Sequence, residues 1–122
     1  MTQEELMIGD WVLHDGEPYQ IRQLGIYGVD RDGEDYPAVC VGKPKGIGLI
    51  IERNEIAPIS LTPEILEKNG WSSLGEYRYE GDIALAKGRN YFRLKNTTIC
   101  INSVHELQHV LRLCGINKEI EI

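Results

Sequence analysis

The sequence predicts an α+β protein in which a small five-stranded β-barrel over residues 1–59 is followed by an α-β-β-β-β-α domain over residues 60–122. Two observations lead to this fold class. In the first half, short apolar segments alternate with glycine-rich turns, a pattern typical of small barrels. In the second half, two segments with helix start and stop signals enclose four segments of strand-like alternation.

The five predicted strands of the first half are short and closely spaced. Asp15-Gly16 predicts a tight turn between the first two strands. The motif G-D-W-V-x-x-D-G at residues 9–16, followed by a strand, resembles the opening of many Src-homology-3-like barrels. That resemblance implies a barrel of this type for the first half. Alternation and turn residues predict its strands at residues 11–13, 19–24 (continued or restarted at 26–29), 38–41, 49–52 and 55–59.

The second half opens with a predicted helix over residues 62–69. Thr62 is a suitable N-cap, Pro63 takes the first helical position, and Gly70 follows the last helical residue. Four strands are then expected at residues 76–79, 83–87, 91–95 and 97–101.

The third of these strands alternates apolar and polar side chains. Phe92 and Leu94 point to one face, and Tyr91, Arg93 and Lys95 point to the other. The sheet is therefore expected to have one apolar and one wet face, with both helices packed on the apolar face.

The clearest helix of the chain begins after Ser103. Ser103 and Glu106 form a capping-box pattern, and Gly115 follows the last periodic residue. At about 100° per residue, one side of the helix is apolar and the opposite side carries His105, His109 and Arg112, which are expected to face solvent or a partner. The predicted core of this half comprises Leu66, Phe92, Leu94, Ile99, Ile101, Leu107, Val110, Leu111 and Cys114.

The same helix contains His105-Glu106-Leu107-Gln108-His109, which matches the H-E-x-x-H pattern of zinc peptidases. In that alternative, the two histidines bind zinc and Glu106 is the base that activates water. Glu106 is already explained as the third residue of a capped helix, so we favour a helix without metal or cofactor. A catalytic zinc would also need a third protein ligand, from His14, Glu119 or Glu121.

Aromatic and basic residues alternate on the expected wet face, and Tyr77 and Tyr79 are expected nearby. Tyrosines beside cations on a sheet can stack nucleic-acid bases. The alternative for Tyr91, Arg93 and Lys95 is ordinary cross-strand pairing on a solvated sheet, which we favour.

Charge and composition limit the function classes. The net charge is −6: residues 1–59 carry 5 basic against 11 acidic side chains, and residues 60–122 carry 8 of each. The acidic half repels phosphate backbones, which disfavours general nucleic-acid binding.

Three cysteines are too few for a disulfide scaffold, and Cys100 and Cys114 are predicted to be buried. No signal peptide or membrane span is recognised, so a cytoplasmic location is expected.

Four stretches of the sequence together resemble a family of small proteins, without assigned activity, from Bacteroides-type gut bacteria and their phages or prophages. These stretches are I-G-D-W-V-x-x-D-G (residues 8–16), I-A-P-I-S-L-T-P-E-I-L-E-K-N-G-W (56–71), V-H-E-L-Q-H-V-L-R-L-C-G-I (104–116) and K-E-I-E-I (118–122). The resemblance implies no catalytic residues. It also implies that glutamine often replaces the residue at the position of Glu106, which suits a capping box as well as glutamate does.

The sequence therefore predicts a non-enzymatic binding or accessory protein, phage- or prophage-associated, with a protein as its partner. The alternatives are a zinc-dependent hydrolase that uses His105, Glu106 and His109, and a nucleic-acid-binding module that uses Tyr91, Arg93 and Lys95. The oligomeric state stays open.

Overall fold

A computed structural model describes residues 6–81, 83–89, 91–116 and 118–122. The chain divides between Ile59 and Ser60 into two compact units. In its described part, each unit contains one five-stranded antiparallel sheet and the second also contains two short α-helices, which confirms the α+β class. No helix of these residues is both long enough and apolar enough to cross a bilayer.

The first unit contains five strands: β1 (Trp11–His14), β2 (Glu17–Val29), β3 (Asp35–Gly42), β4 (Leu49–Glu52) and β5 (Ile56–Pro58). They form one sheet in the order β4-β3-β2-β1-β5. A 3-10 turn at Arg53–Glu55 precedes β5. The second predicted strand is one continuous strand of 13 residues, with irregular register between Ile21 and Ile26.

The predicted closed barrel is not found among the described residues. The edge strands β4 and β5 contain only four and three residues and do not pair with each other, so the sheet is open. Closure would require hydrogen bonding between the edge strands along the barrel wall. The predicted tight turn is present, because Asp15 and Gly16 both have positive φ, 51° and 77°.

The core of the first unit is an apolar cluster on one face of this sheet. Tyr19 and Leu24 pack against its margin. Burial of the cluster is the main source of stability for strands this short. Its buried members are Leu6, Val12, Ile21, Val39, Val41, Ile51 and Ile56.

The second unit contains helix α1 (Pro63–Lys68), strands β6 (Ser72–Leu74), β7 (Tyr77–Glu80), β8 (Ile83–Lys87), β9 (Phe92–Leu94) and β10 (Cys100–Ile101), and helix α2 (Val104–Leu113). The strands form one sheet in the order β10-β9-β8-β7-β6. Helix α1 begins as predicted: the Thr62 hydroxyl accepts a hydrogen bond from the Ile65 amide at 3.3 Å.

Two strands of this sheet differ from the prediction. Strand β6 was not expected, because Ser72-Ser73-Leu74 is exposed throughout and lacks apolar alternation. The last predicted strand is shortened to two residues by a turn: the Thr97 amide and hydroxyl both donate to the Leu94 carbonyl, at 3.1 and 2.7 Å, and Asn96 has a φ of 65°.

Six residues of the predicted core are buried, and three are not. Leu94 is half-buried, Ile99 is 49% exposed, and Cys114 is exposed. The prediction that Cys100 is buried is also wrong. Ile99 lies outside the shortened edge strand and Cys114 caps the open end of α2, so neither receives the packing that the pattern implied. The six buried residues are Leu66, Phe92, Ile101, Leu107, Val110 and Leu111.

Candidate functional site

The candidate residues fall into two separate sets in the second unit. His105, Glu106 and His109 lie in the first turns of α2. Arg93 lies on β9, and Tyr91 and Lys95 immediately flank that strand.

The N-terminus of α2 is built around the Ser103 hydroxyl. Its oxygen accepts from the Glu106 amide at 3.4 Å, as an N-cap does. The same hydroxyl donates a hydrogen bond to Glu106 Oε1 at 2.8 Å. The carboxylate therefore binds the Ser103 hydroxyl rather than the Ser103 amide, which corrects the capping box expected from the sequence.

The same hydroxyl fixes the tautomer of His105. Ser103 Oγ lies 3.0 Å from His105 Nδ1. A hydroxyl has one hydrogen, and the bond to Glu106 uses it. The hydrogen between Ser103 Oγ and His105 Nδ1 must therefore belong to Nδ1. A serine that donates to a carboxylate and accepts from an imidazole is arranged in the opposite sense to a catalytic nucleophile, which must donate to the imidazole.

The prediction that both histidines lie on a wet face is wrong for His105. This side chain is 6% exposed, and Gln108 is 8% exposed, whereas His109 is half-buried. The buried positions cover an arc of about 220° around the helix at 100° per residue, wider than the predicted apolar stripe. Polar groups can lie in such an arc when they are hydrogen-bonded, as His105 is to Ser103.

The rings of His105 and His109 are neighbours on the first turns of α2. Their centroids are 5.6 Å apart with an interplanar angle of 74°. Within the described residues, no three His, Cys, Asp or Glu side chains come together as a group that could hold a metal ion. A catalytic zinc needs three protein ligands, so this part of the chain leaves the zinc alternative without its third ligand.

The second set belongs to a continuous row across the second sheet. Leu74 pairs with Tyr77, Tyr77 with Ala86, Ala86 with Arg93, and Arg93 with Cys100. Residues directly opposite each other in a sheet share one face. A second row on this face runs from Ser72 through Tyr79 to Ala84. Tyr91 and Lys95 lie two residues to either side of Arg93 and share its face.

We call this surface the tyrosine–cation face and define it by Tyr77, Tyr79, Tyr91, Arg93 and Lys95. The Lys95 ammonium lies over the Tyr77 ring, 5.3 Å from its centroid. The Tyr77 and Tyr79 rings are 6.1 Å apart. Arg93 Nη1 donates to the Thr97 carbonyl at 3.3 Å. The cations are therefore held in place over aromatic and backbone groups, not scattered at the surface.

The centre of this face is built from small residues. Ala84 and Ala86 occupy β8, and a Cβ added to Gly88 would overlap the Tyr91 ring. Tyr91 can therefore lie flat against the backbone only because residue 88 is glycine.

Sequence reasoning recognised three of these residues but missed the apolar margin of the face. Tyr91, Arg93 and Lys95 are exposed, as the alternation predicted. Leu74, 70% exposed, belongs to the unpredicted strand β6, and Cys100 was expected to be buried. The spacing of Leu74 and Tyr77 around Gly75, which has a φ of 61°, is the signal that could have revealed the hairpin.

Comparison of the chain with protein-family models, with curated proteins and with solved structures found no match in any of the three. The candidate sites therefore rest on the residues and their geometry.

Proposed function

We propose that the chain is a non-enzymatic binding or accessory protein, and that the tyrosine–cation face binds an acidic segment of a partner protein. The row that joins Leu74, Tyr77, Arg93 and Cys100 in one register carries this proposal. Tyrosine and arginine are enriched at protein interfaces, where they supply large contact areas and planar hydrogen-bond donors.

Charge on the face favours an acidic partner. None of the paired positions in its two rows is acidic, although the whole chain has a net charge of −6. Arg93 and Lys95 are thus a local positive patch on an acidic protein. Complementary charge steers association and fixes register, while exposed Leu74 and the tyrosines supply apolar area.

A single-stranded nucleic acid is the second candidate, favoured by the three tyrosines beside two cations. Base stacking on such rings contributes about 1–3 kcal/mol per base. We rank it second because Lys95 already covers the Tyr77 ring, and because two cations neutralise few phosphates.

The zinc-dependent hydrolase ranks below both. In that alternative Glu106 must activate a water molecule, yet its carboxylate accepts a hydrogen bond from the Ser103 hydroxyl at 2.8 Å. The capping interaction supports a structural role for Glu106, and within the part of the chain that the structure describes no third ligand joins His105 and His109.

Finer features of the fold belong to the same proposal. The order β4-β3-β2-β1-β5 with a 3-10 turn before β5 supports a Src-homology-3-like arrangement of the first unit. Burial of Leu85 and Phe92 on the sheet, and of Leu66 and Leu107 on the helices, supports packing of both helices on its apolar face. Two separate domains, 1–59 and 60–122, remain part of the proposal.

The biological setting that we propose is cytoplasmic and linked to a phage or prophage. The resemblance to a family from Bacteroides-type bacteria and their phages supports the link. Free thiols support the location, because Cys40, Cys100 and Cys114 form no disulfide and such thiols persist in reducing compartments.

Fluorescence anisotropy with two labelled probes tests the binding proposal. The probes are a decapeptide rich in glutamate and tyrosine and a 15-nucleotide single-stranded oligothymidylate. Each is titrated with the wild type, with Arg93→Ala, and with Lys45→Ala, a control that removes an exposed cation from the other unit. We expect peptide binding that Arg93→Ala weakens and Lys45→Ala preserves. Binding of the oligonucleotide alone, weakened by Arg93→Ala, would establish the second candidate instead.

A further inference from the structure

A cavity of about 410 Å³ lies at one end of the second sheet, between the start of α1 and the β8–β9 connection. Its lining includes Ser60, Glu64, Lys87, Arg89, Tyr91 and Phe92. The volume falls within the range of small-molecule sites, roughly 300–1,000 Å³. The cavity borders the tyrosine–cation face at Tyr91 but has its own set of charged residues.

Two of the lining residues, Lys87 and Arg89, carry positive charge. In the part of the chain that the structure describes, neither Lys87 nor Arg89 forms an ion pair or a side-chain hydrogen bond. Both side chains are exposed to solvent. Glu64 is the single acidic residue among the lining residues. The cavity therefore has a net charge of +1 within a chain of net charge −6.

The remaining lining groups are suited to a small polar ligand. Ser60 brings a hydroxyl, Tyr91 brings a phenol, and Phe92, 3% exposed, forms an apolar floor. Arginine forks match the oxygens of phosphate groups, and lysine adds a mobile point charge. An apolar floor with a few convergent polar groups is the usual composition of a ligand site.

We propose that this cavity binds a small molecule that carries a phosphate group, held by Lys87 and Arg89. The ligand is free rather than part of a polymer, because the cavity is of small-molecule size. This site goes beyond the proposed protein-binding face and does not depend on it: Lys87 and Arg89 are not members of that face. A cation that lies about 4 Å from the phosphate in a water-filled site raises the affinity about fivefold.

Nuclear magnetic resonance titration of the full chain tests the site. The probes are inorganic phosphate, adenosine monophosphate and adenosine, the last two differing only in the phosphate. We expect phosphate and the monophosphate to shift the amides of Leu61, Glu64 and Arg89, and adenosine to leave them in place. A 15-nucleotide strand with a 5′-phosphate is the fourth probe. Tighter binding of this strand than of the monophosphate would overturn the small-molecule assignment.

Three variants make the outcome decisive. Lys87→Gln/Arg89→Gln should weaken phosphate binding by about 25-fold, the product of two fivefold losses. Arg93→Gln/Lys95→Gln removes the same charge from the tyrosine–cation face and should leave the affinity unchanged. Glu64→Gln removes the opposing carboxylate and should tighten binding about fivefold. No response to phosphate or the monophosphate, an equal response to adenosine, or a wild-type response of the first variant would overturn the proposal.

Discussion

The side-chain amide of Asn69 pairs with both backbone polar groups of Glu121. Asn69 Oδ1 accepts from the Glu121 amide at 2.7 Å, and Asn69 Nδ2 donates to the Glu121 carbonyl at 2.8 Å. One side chain thus replaces a strand partner for the segment Lys118–Ile122. Nearby, Lys118 Nζ donates to the Asn69 carbonyl at 2.5 Å and pairs with Glu80 at 2.9 Å, and Ile120 is buried.

Replacing Asn69 should therefore release this segment. Asn69→Ala loses both bonds to Glu121 and a third, to the Ile65 carbonyl, at 2.8 Å. Each bond contributes about 1 kcal/mol, so we expect a loss of about 2–3 kcal/mol in the free energy of unfolding. Urea denaturation measures it, with Asn54→Ala, an exposed asparagine, as the control. An equal loss of stability in both variants would contradict the role of Asn69 in holding the segment Lys118–Ile122.

The start of α2 gives a ranked set of stability losses. Ser103→Ala should cost about 1–2 kcal/mol, because the cap to the Glu106 amide is lost. Glu106→Gln should change stability by less than about 0.5 kcal/mol, since glutamine still offers an oxygen to the Ser103 hydroxyl.

His105→Ala should cost about 1–3 kcal/mol, because this histidine is buried and hydrogen-bonded. His109→Ala should cost less. Thermal melts give the order; a silent His105→Ala would contradict the assigned bond.

A second packing relationship can be isolated by a double-mutant cycle. Gly28 on β2 pairs with Tyr36 on β3, and a Cβ on Gly28 would overlap the Tyr36 ring. Gly28→Ala should cost about 1–3 kcal/mol by overpacking. Adding Tyr36→Ala should remove most of that additional cost, whereas adding Tyr27→Ala, on an exposed tyrosine, should not. If Gly28→Ala lowers the free energy of unfolding equally in the Tyr36→Ala and Tyr27→Ala backgrounds, the Tyr36 ring is not what excludes a side chain at residue 28.

Zinc should not stabilise the protein. Among the described residues no third ligand joins His105 and His109, and two histidines alone bind zinc far more weakly than a complete site does. We expect the melting temperature to be the same in zinc and in chelator, for the wild type and for His105→Ala/His109→Ala alike. Stabilisation of the wild type by zinc that the double variant lacks would instead support the hydrolase alternative.

Local signals in the sequence predicted local structure well. Thr62 and Ser103 cap their helices as expected, and Gly70 and Gly115 follow the helix ends with φ values of 82° and 74°. These features depend on residues within one helical turn, so the sequence alone contains the necessary information.

Features that depend on distant neighbours were not predictable in the same way. The burial of His105 depends on what packs around α2, and a helical wheel does not contain that information. The exposure of Ile99 follows from a turn at Thr97 that shortens β10. Strand β6 forms because β7 offers it a partner across Gly75, not because its own three residues favour a strand.

The same distinction applies to the candidate site. Alternation in one strand identified Tyr91, Arg93 and Lys95 as members of an exposed face. The row that gives the face its extent, from Leu74 to Cys100, requires the register of five strands, which no single segment specifies.

The central claim is that the tyrosine–cation face of the second sheet binds an acidic segment of a protein. Amide chemical shifts of the full chain, followed while the glutamate- and tyrosine-rich decapeptide is added, test it most directly. We expect the largest shifts at Tyr77, Ala86, Arg93 and Cys100, which form one row across the sheet. Shifts confined to α2 or to the first unit, with this row unchanged, would contradict the claim.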